Sequence, residues 1–177
     1  MSFLYFAYGS NMLSSRLTAR CPSAKVIGLG TAKYWNLEFS KKSIDGSGKA
    51  TLISTTETSR TTGVLFEIGA SDLNELDRFE GAGYERSDKF SIETDDGPLS
   101  ATTYLASERH SDMVPYDWYL ALIVAGALEH KLNDAHTARL RMATRKPDQN
   151  LTRKSRNAAL KALALHDHVD YLKLLEN

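Results

Sequence analysis

Two short segments hold residues whose types and order could do chemistry. The first is Tyr8-Gly9-Ser10-Asn11, between an apolar run and a stretch with helical spacing. Its backbone N–H groups would stand at the start of a helix, where the first amides lack partners and the dipole end is positive. Such a place holds an anion or a polarised carbonyl oxygen, and Gly9 would let a ligand approach the backbone. A plain strand-to-helix turn capped by Ser10 or Asn11 would read the same way. The second segment runs from Leu76-Asp77-Arg78-Phe79-Glu80 through Gly81-Ala82-Gly83-Tyr84. Leu73, Leu76 and Glu80 fall at i, i+3 and i+7, which sets the Glu80 carboxylate on the face the leucines turn inward. Desolvation there would raise its pKa toward the range of a general acid or base. The same carboxylate paired with Arg86 or Arg16 would only close the fold.

These residues need elements to hold them. Residues 3–8 are apolar and aromatic, a strand ending at the Gly9 turn. A helix follows, capped by Ser10 or Asn11 and stopped by Pro22. Residues 24–39 read as two strands, or one long bent strand with a bulge. Asp45-Gly46-Ser47-Gly48 is a turn before a strand at 50–54, and another strand spans 62–68. Ser71 is placed to cap a short helix that carries Asp72 and Glu75 in its first turn and ends at Gly81. Strands at 85–93 and 99–105 join through the hairpin signal Asp95-Asp96-Gly97. After Pro115 the pattern turns helical, over 116–132 and again over 158–175. Strands followed by helices indicate an α+β fold.

The 177 residues suit one domain, or one domain with an appendage. With 42% hydrophobic and 25% charged residues the chain should fold, and 22 basic against 22 acidic residues argue against a surface built throughout for polyanions. The single cysteine, Cys21, excludes an intrachain disulfide and fits a reducing compartment. No signal peptide or membrane span of about 18 apolar residues is evident, so the expected location is cytoplasmic. His166-Asp167-His168 is a poor metal site, since residues two apart on a helix face different ways. Cys21 reads as an idle thiol, and His110, Ser111 and Asp112 lack a nucleophile-elbow setting. Residues 139–161 hold eight basic residues and one acidic, Asp148. That run has no aromatics for base stacking, so nucleic acid is not expected as a partner.

Taken in order, the motifs resemble the gamma-glutamylcyclotransferase family (AIG2-like fold) over most of the first 132 residues. Phe6-Ala7-Tyr8-Gly9-Ser10-Asn11-Met12 is similar to the family's substrate loop, and Asp45 through Thr51 to its turn and strand. Gly63-Val64-Leu65-Phe66 resembles its central strand, and Leu76-Asp77 through Glu80-Gly81, then Tyr84, the segment with its catalytic glutamate. Pro115, Tyr119 and Gly126-Ala127 resemble the helix whose tyrosine reaches the site. The resemblance implies a small mixed, barrel-like β-sheet with flanking helices over residues 1–137. Residues 138–177 have no counterpart in the family pattern and read as a lineage-specific helical extension, packed on the domain or appended to it. The implied activity converts a γ-glutamyl amino acid or amine to 5-oxoproline and a free amine. Glu80 would be the catalytic acid/base, and Tyr8, Gly9, Ser10, Asn11, Tyr84 and Tyr119 would bind the substrate. No metal and no organic cofactor is implied, the partner is a small γ-glutamyl molecule, and a homodimer is compatible with the sequence. The alternative is a non-catalytic module on the same fold that binds a small molecule or an acidic partner.

Overall fold

The computed structural model describes residues 1–56 and 58–176. Five strands close into a barrel: β1 (Ser2–Ala7), β2 (Lys25–Lys33), β5 (Arg60–Gly69), β6 (Tyr84–Thr94) and β7 (Gly97–Ala106), in the spatial order β1-β5-β2-β6-β7. Closure comes from a parallel contact between β1 and β7 that sets Tyr5 against Thr102, while the other pairings are antiparallel. The sheet is therefore mixed, as expected. β5 lies between β1 and β2, and its near-continuous run of buried Val64, Leu65, Phe66 and Ile68 fits a strand covered on both faces. β3 (Trp35–Lys42) and β4 (Gly48–Ser54) form a separate two-stranded hairpin. Residues 24–39 thus hold one bulged strand, irregular between Val26 and Gly28, and most of a second. Asp45 shapes the hairpin turn by accepting from the amide and hydroxyl of Ser47 at 3.0 and 2.6 Å.

The helices differ from the sequence expectation in three places. The segment after Gly9 is a 3₁₀ turn (Ser10–Met12) and then α1 (Ser14–Thr18), separated by Leu13 in an extended conformation. Neither Ser10 nor Asn11 caps it, because Asn11 turns inward toward Tyr5 and Glu80. Ser71 caps nothing either: it sits inside the 3₁₀ turn Ala70–Asp72 that leads into α2 (Leu73–Glu80). The continuous C-terminal helix is also broken, α5 (Lys154–Ala164) giving way to a separate 3₁₀ segment, Tyr171–Leu175.

In α3 (Asp117–Glu129) every residue from Trp118 to Ala127 is buried. A helix apolar all round has to be covered on all sides. One side meets the Ser10–Met12 turn at Gly126, where a Cβ would lie 2.6 Å from the Leu13 nitrogen, so only glycine permits the approach. The others meet α4 (Asp134–Arg141), α5 and Tyr171–Leu175, which bury Leu140, Ala159, Leu163, Leu174 and Leu175. Residue 138 falls inside α4, and the segment beyond it covers the helix that carries Tyr119. The basic run serves the same packing. Arg141 and Arg145 donate to the Leu174 and Leu175 carbonyls, and Arg153 pairs with Asp148. No helix among the described residues is long and apolar enough to cross a membrane.

Candidate active site

α2 ends at Gly81, whose φ of +70° suits glycine and whose amide closes on the Asp77 carbonyl at 3.0 Å. Leu76 is fully buried, so this face of α2 points inward and carries Glu80 with it. Asp77 fixes the helix by accepting from the Tyr104 hydroxyl and from Arg86, each at 2.6 Å. Arg86 is therefore engaged elsewhere, and neither it nor Arg16 forms an ion pair with Glu80. The Glu80 carboxylate receives neutral donors, Asn11 Nδ2 at 2.7 Å and the Tyr5 hydroxyl at 3.4 Å. Both reach Oε1, no side-chain donor reaches Oε2 among the described residues, and Glu80 lines a cavity.

That cavity opens where β1 runs into the Gly9 turn. It is lined by Tyr5, Tyr8, Gly9, Ser10, Asn11, Ala50, Glu80, Tyr84, Tyr104 and Tyr119. All seven residues singled out from the sequence are brought together there. Ala50 of β4 is held at both backbone atoms: Tyr84 donates to its carbonyl at 2.6 Å, and its amide donates to the Tyr119 hydroxyl at 3.1 Å. Tyr8 donates to the Tyr104 carbonyl, and Ser10 Oγ accepts from Arg16 Nε at 3.2 Å. Gly9 has a φ of −117°, so the turn does not require a left-handed backbone. Space is tight rather than closed, since a Cβ would stand 3.3 Å from the Ala50 Cβ and, in ordinary contact, 3.7 Å from the Tyr119 hydroxyl.

Burial raises the pKa of Glu80, opposed by the charges of Arg20 and Arg16 and by its two hydrogen bonds. Burial and then the Glu80 charge raise Tyr5 and Tyr8, so these hydroxyls stay protonated as donors. Arg20 connects to Glu80 indirectly, donating to Asn11 Oδ1 at 3.1 Å while Asn11 Nδ2 donates to the carboxylate. Cys21 lies outside the cavity, buried, and burial pushes its thiol up to about 11, which leaves it inert.

Sequence reading missed Tyr5, Tyr104 and Ala50. Tyr5 and Tyr104 lie in apolar or β-branched strands and look like core, yet a buried tyrosine hydroxyl needs a partner, which is the signal that could have flagged them. Ala50 contributes backbone atoms, which no residue type announces. Arg16, Arg20, Lys41 and Lys49, around the mouth, were not grouped as a set because they come from α1, its end, β3 and β4.

Comparison with known proteins adds a family. A family model described as "Gamma-glutamyl cyclotransferase, AIG2-like" matches residues 5–121. The chain is 32% identical over 138 residues to gamma-glutamylcyclotransferase of Homo sapiens, covering 74% of this chain and 73% of the relative. The Bos taurus gamma-glutamylcyclotransferase is 29% identical over 137 residues, with 74% and 73% covered. Among solved structures, one titled "Gamma-glutamyl cyclotransferase" superposes with a TM-score of 0.82 at 26% identity, covering 91% of this chain and 99% of that one. An uncharacterised Homo sapiens protein gives a TM-score of 0.80 at 28% identity, with 90% and 98% covered. The 9% of this chain left unmatched in the first superposition is too short to hold residues 138–177. That segment is therefore not lineage-specific throughout, in contrast to the sequence expectation.

Proposed function

The chain belongs to the gamma-glutamyl cyclotransferase, AIG2-like family, and from that we propose that it converts a γ-glutamyl amino acid or amine to 5-oxoproline and the free amine. The observation that carries the reading is a carboxylate in the wall of a tyrosine-lined cavity, with one oxygen held by neutral donors and no side-chain donor on the other. The substrate's own α-amine attacks its γ-carbonyl and closes a five-membered ring, so no covalent enzyme intermediate is required. Holding the glutamyl chain folded supplies much of the rate, since well-oriented intramolecular reactions reach effective molarities of roughly 10⁵ to 10⁸ M.

Protons set the rest of the mechanism. The α-amine is an ammonium at neutral pH and cannot attack until it loses a proton to Glu80 Oε2. As the new C–N bond forms and the old one breaks, the attacking nitrogen gives up a second proton. The departing nitrogen gains two in all and leaves as an ammonium rather than as an amide anion. Glu80 carries each proton across, acting as general base and then as general acid. The Ser10 and Asn11 amides, at the start of the 3₁₀ turn, receive the γ-carbonyl oxygen as it gains charge. Tyr119 accepts from Ala50 and so keeps its own proton to donate to substrate. Tyr8 and Tyr84, with their protons committed to carbonyls, shape the cavity with their rings. In this proposal residues 1–137 hold the chemistry and residues 138–177 support α3.

The test is a panel of γ-glutamyl compounds, amino acid and amine, assayed for released 5-oxoproline with Glu80→Gln as the control. Turnover of at least one compound by the wild type is expected. Calorimetric binding with no 5-oxoproline from any of them would instead make the protein a binding module.

A further inference from the structure

Beside the tyrosine-lined cavity lies a second chamber, and the two share Ser10, Glu80, Tyr84 and Tyr119 as a common wall. Its character is different. The inner cavity has Glu80 as its charged residue, whereas the outer chamber adds Arg16, Arg20, Lys41 and Lys49. Lys49 is neutralised by Asp45 at 3.1 Å and lies over the Tyr119 ring at 4.6 Å from its centroid. Among the described residues the other three have no carboxylate ion-pair partner. Arg16 is held by Ser10 Oγ, Arg20 by Asn11 Oδ1 and the Phe79 ring, and Lys41 by the Tyr84 ring at 4.9 Å. Each is thus positioned by neutral groups at one opening, with no carboxylate in direct contact and Glu80 as the one carboxylate in the chamber's wall.

With a glutamyl group in the inner cavity and its amide at Glu80, the departing amine extends across the shared wall into this chamber. Glu80 in the shared wall offsets one of the three cations, and the glutamyl group's own carboxylate and ammonium cancel, so a single carboxylate on the leaving amino acid still leaves one positive charge unbalanced. We propose that the outer chamber is an anion-selective leaving-group subsite, and that the chain prefers γ-glutamyl compounds whose leaving amine carries two carboxylates over those carrying one or none. The inference rests on the proposed cyclotransferase reading and specifies its substrate class. Burial and then the Arg20 charge lower Arg16 to about 9, and burial lowers Lys49 to about 8 against the pull of Asp45, a strain that a bound dianion relieves.

The decisive pair is γ-glutamyl-aspartate against γ-glutamyl-asparagine, nearly equal in shape and different by one charge. A carboxylate meeting placed cations through charge-assisted hydrogen bonds should give a kcat/KM ratio of about tenfold or more in favour of aspartate at low salt. The ratio should shrink as ionic strength rises. Lys41→Gln and Arg20→Gln, read separately, should each lower the ratio, and Lys42→Gln, an exposed neighbour, should leave it in place. The salt series needs only the wild type, so it decides even if a variant fails to fold. Release of 5-oxoproline from both compounds with a ratio near one at all salt concentrations overturns the subsite and leaves the cyclotransferase reading standing. Release from neither, nor from the wider panel, overturns both.

Discussion

Glu80 and Asp148 are both carboxylates drawn out of water, and they end on opposite sides of their ordinary range. Burial is the largest influence on each. Asp148, its side chain 1% exposed, takes the Trp118 indole N–H at 3.0 Å, two bonds from the Arg153 guanidinium at 2.7 and 3.1 Å, and the Asn150 amide at 3.0 Å. Those donors outweigh desolvation, so its pKa falls and it stays charged. Glu80 has two neutral donors on one oxygen and its arginines at a remove, so desolvation wins and its pKa rises. A buried carboxylate with a full donor set is a structural tie, here fastening the C-terminal segment to α3. One with an incomplete set exchanges a proton readily, which a shuttle requires.

The largest effect that could break this contrast is on turnover. Glu80→Gln keeps the shape and can still accept from Asn11, but it cannot take a proton at neutral pH. Release of 5-oxoproline should fall by about 10² to 10⁴-fold while calorimetric binding of a γ-glutamyl compound persists. The wild-type rate should decline as pH falls through the raised Glu80 pKa, and that limb should be missing from the variant's residual rate. Near-normal turnover in the variant would sink the mechanism.

Asp148→Asn tests the other carboxylate. It leaves Arg153 without its counter-charge, and chemical denaturation should report a loss of about 2–3 kcal/mol. Activity per folded molecule should hardly change. Because its folded pKa is depressed, the stability Asp148 contributes is present above its unfolded pKa and is lost as pH falls through the folded one. A variant that stayed fully stable yet lost activity would reverse the two roles.

Gly9→Val acts on the cavity wall alone. Its branches would press on Ala50 and on the Tyr119 hydroxyl, so kcat/KM should drop by about tenfold, roughly 1.4 kcal/mol. The melting temperature should move little, and a large fall in it with unchanged kcat/KM would make the loop a structural turn.

The smallest effect concerns the stability of Glu80→Gln. A raised folded pKa means that Glu80's favourable contribution is present below its unfolded value, about 4.3, and is lost as pH rises through the folded value. At neutral pH the charged side chain therefore costs stability that glutamine does not. Thermal scans should show the variant melting higher than wild type near pH 7, with the gap closing in acid. An equal gap at both pH values would mean that charge is not the cause.

By itself the sequence determined the features that local pattern decides. The strand before Gly9, the Asp45 turn, the Asp95-Asp96-Gly97 hairpin, the α2 face shared by Leu76 and Glu80, and the apolar α3 rest on periodicity and turn chemistry, which neighbouring residues decide among themselves. Only the tertiary structure decided what Asn11 does, because its side chain could cap a helix or reach across to a residue 69 positions away, and the half-buried carboxylate there offers the stronger partner. The same holds for the cations at the mouth. Arg16, Arg20, Lys41 and Lys49 are ordinary surface residues along the chain, and only the packing of α1 and the β3–β4 hairpin around one opening gathers them. Residues 138–177 read as an extension, packed on the domain or appended to it, because they match no part of the family pattern; α3 is apolar on every side and has to be covered, and these residues pack against it.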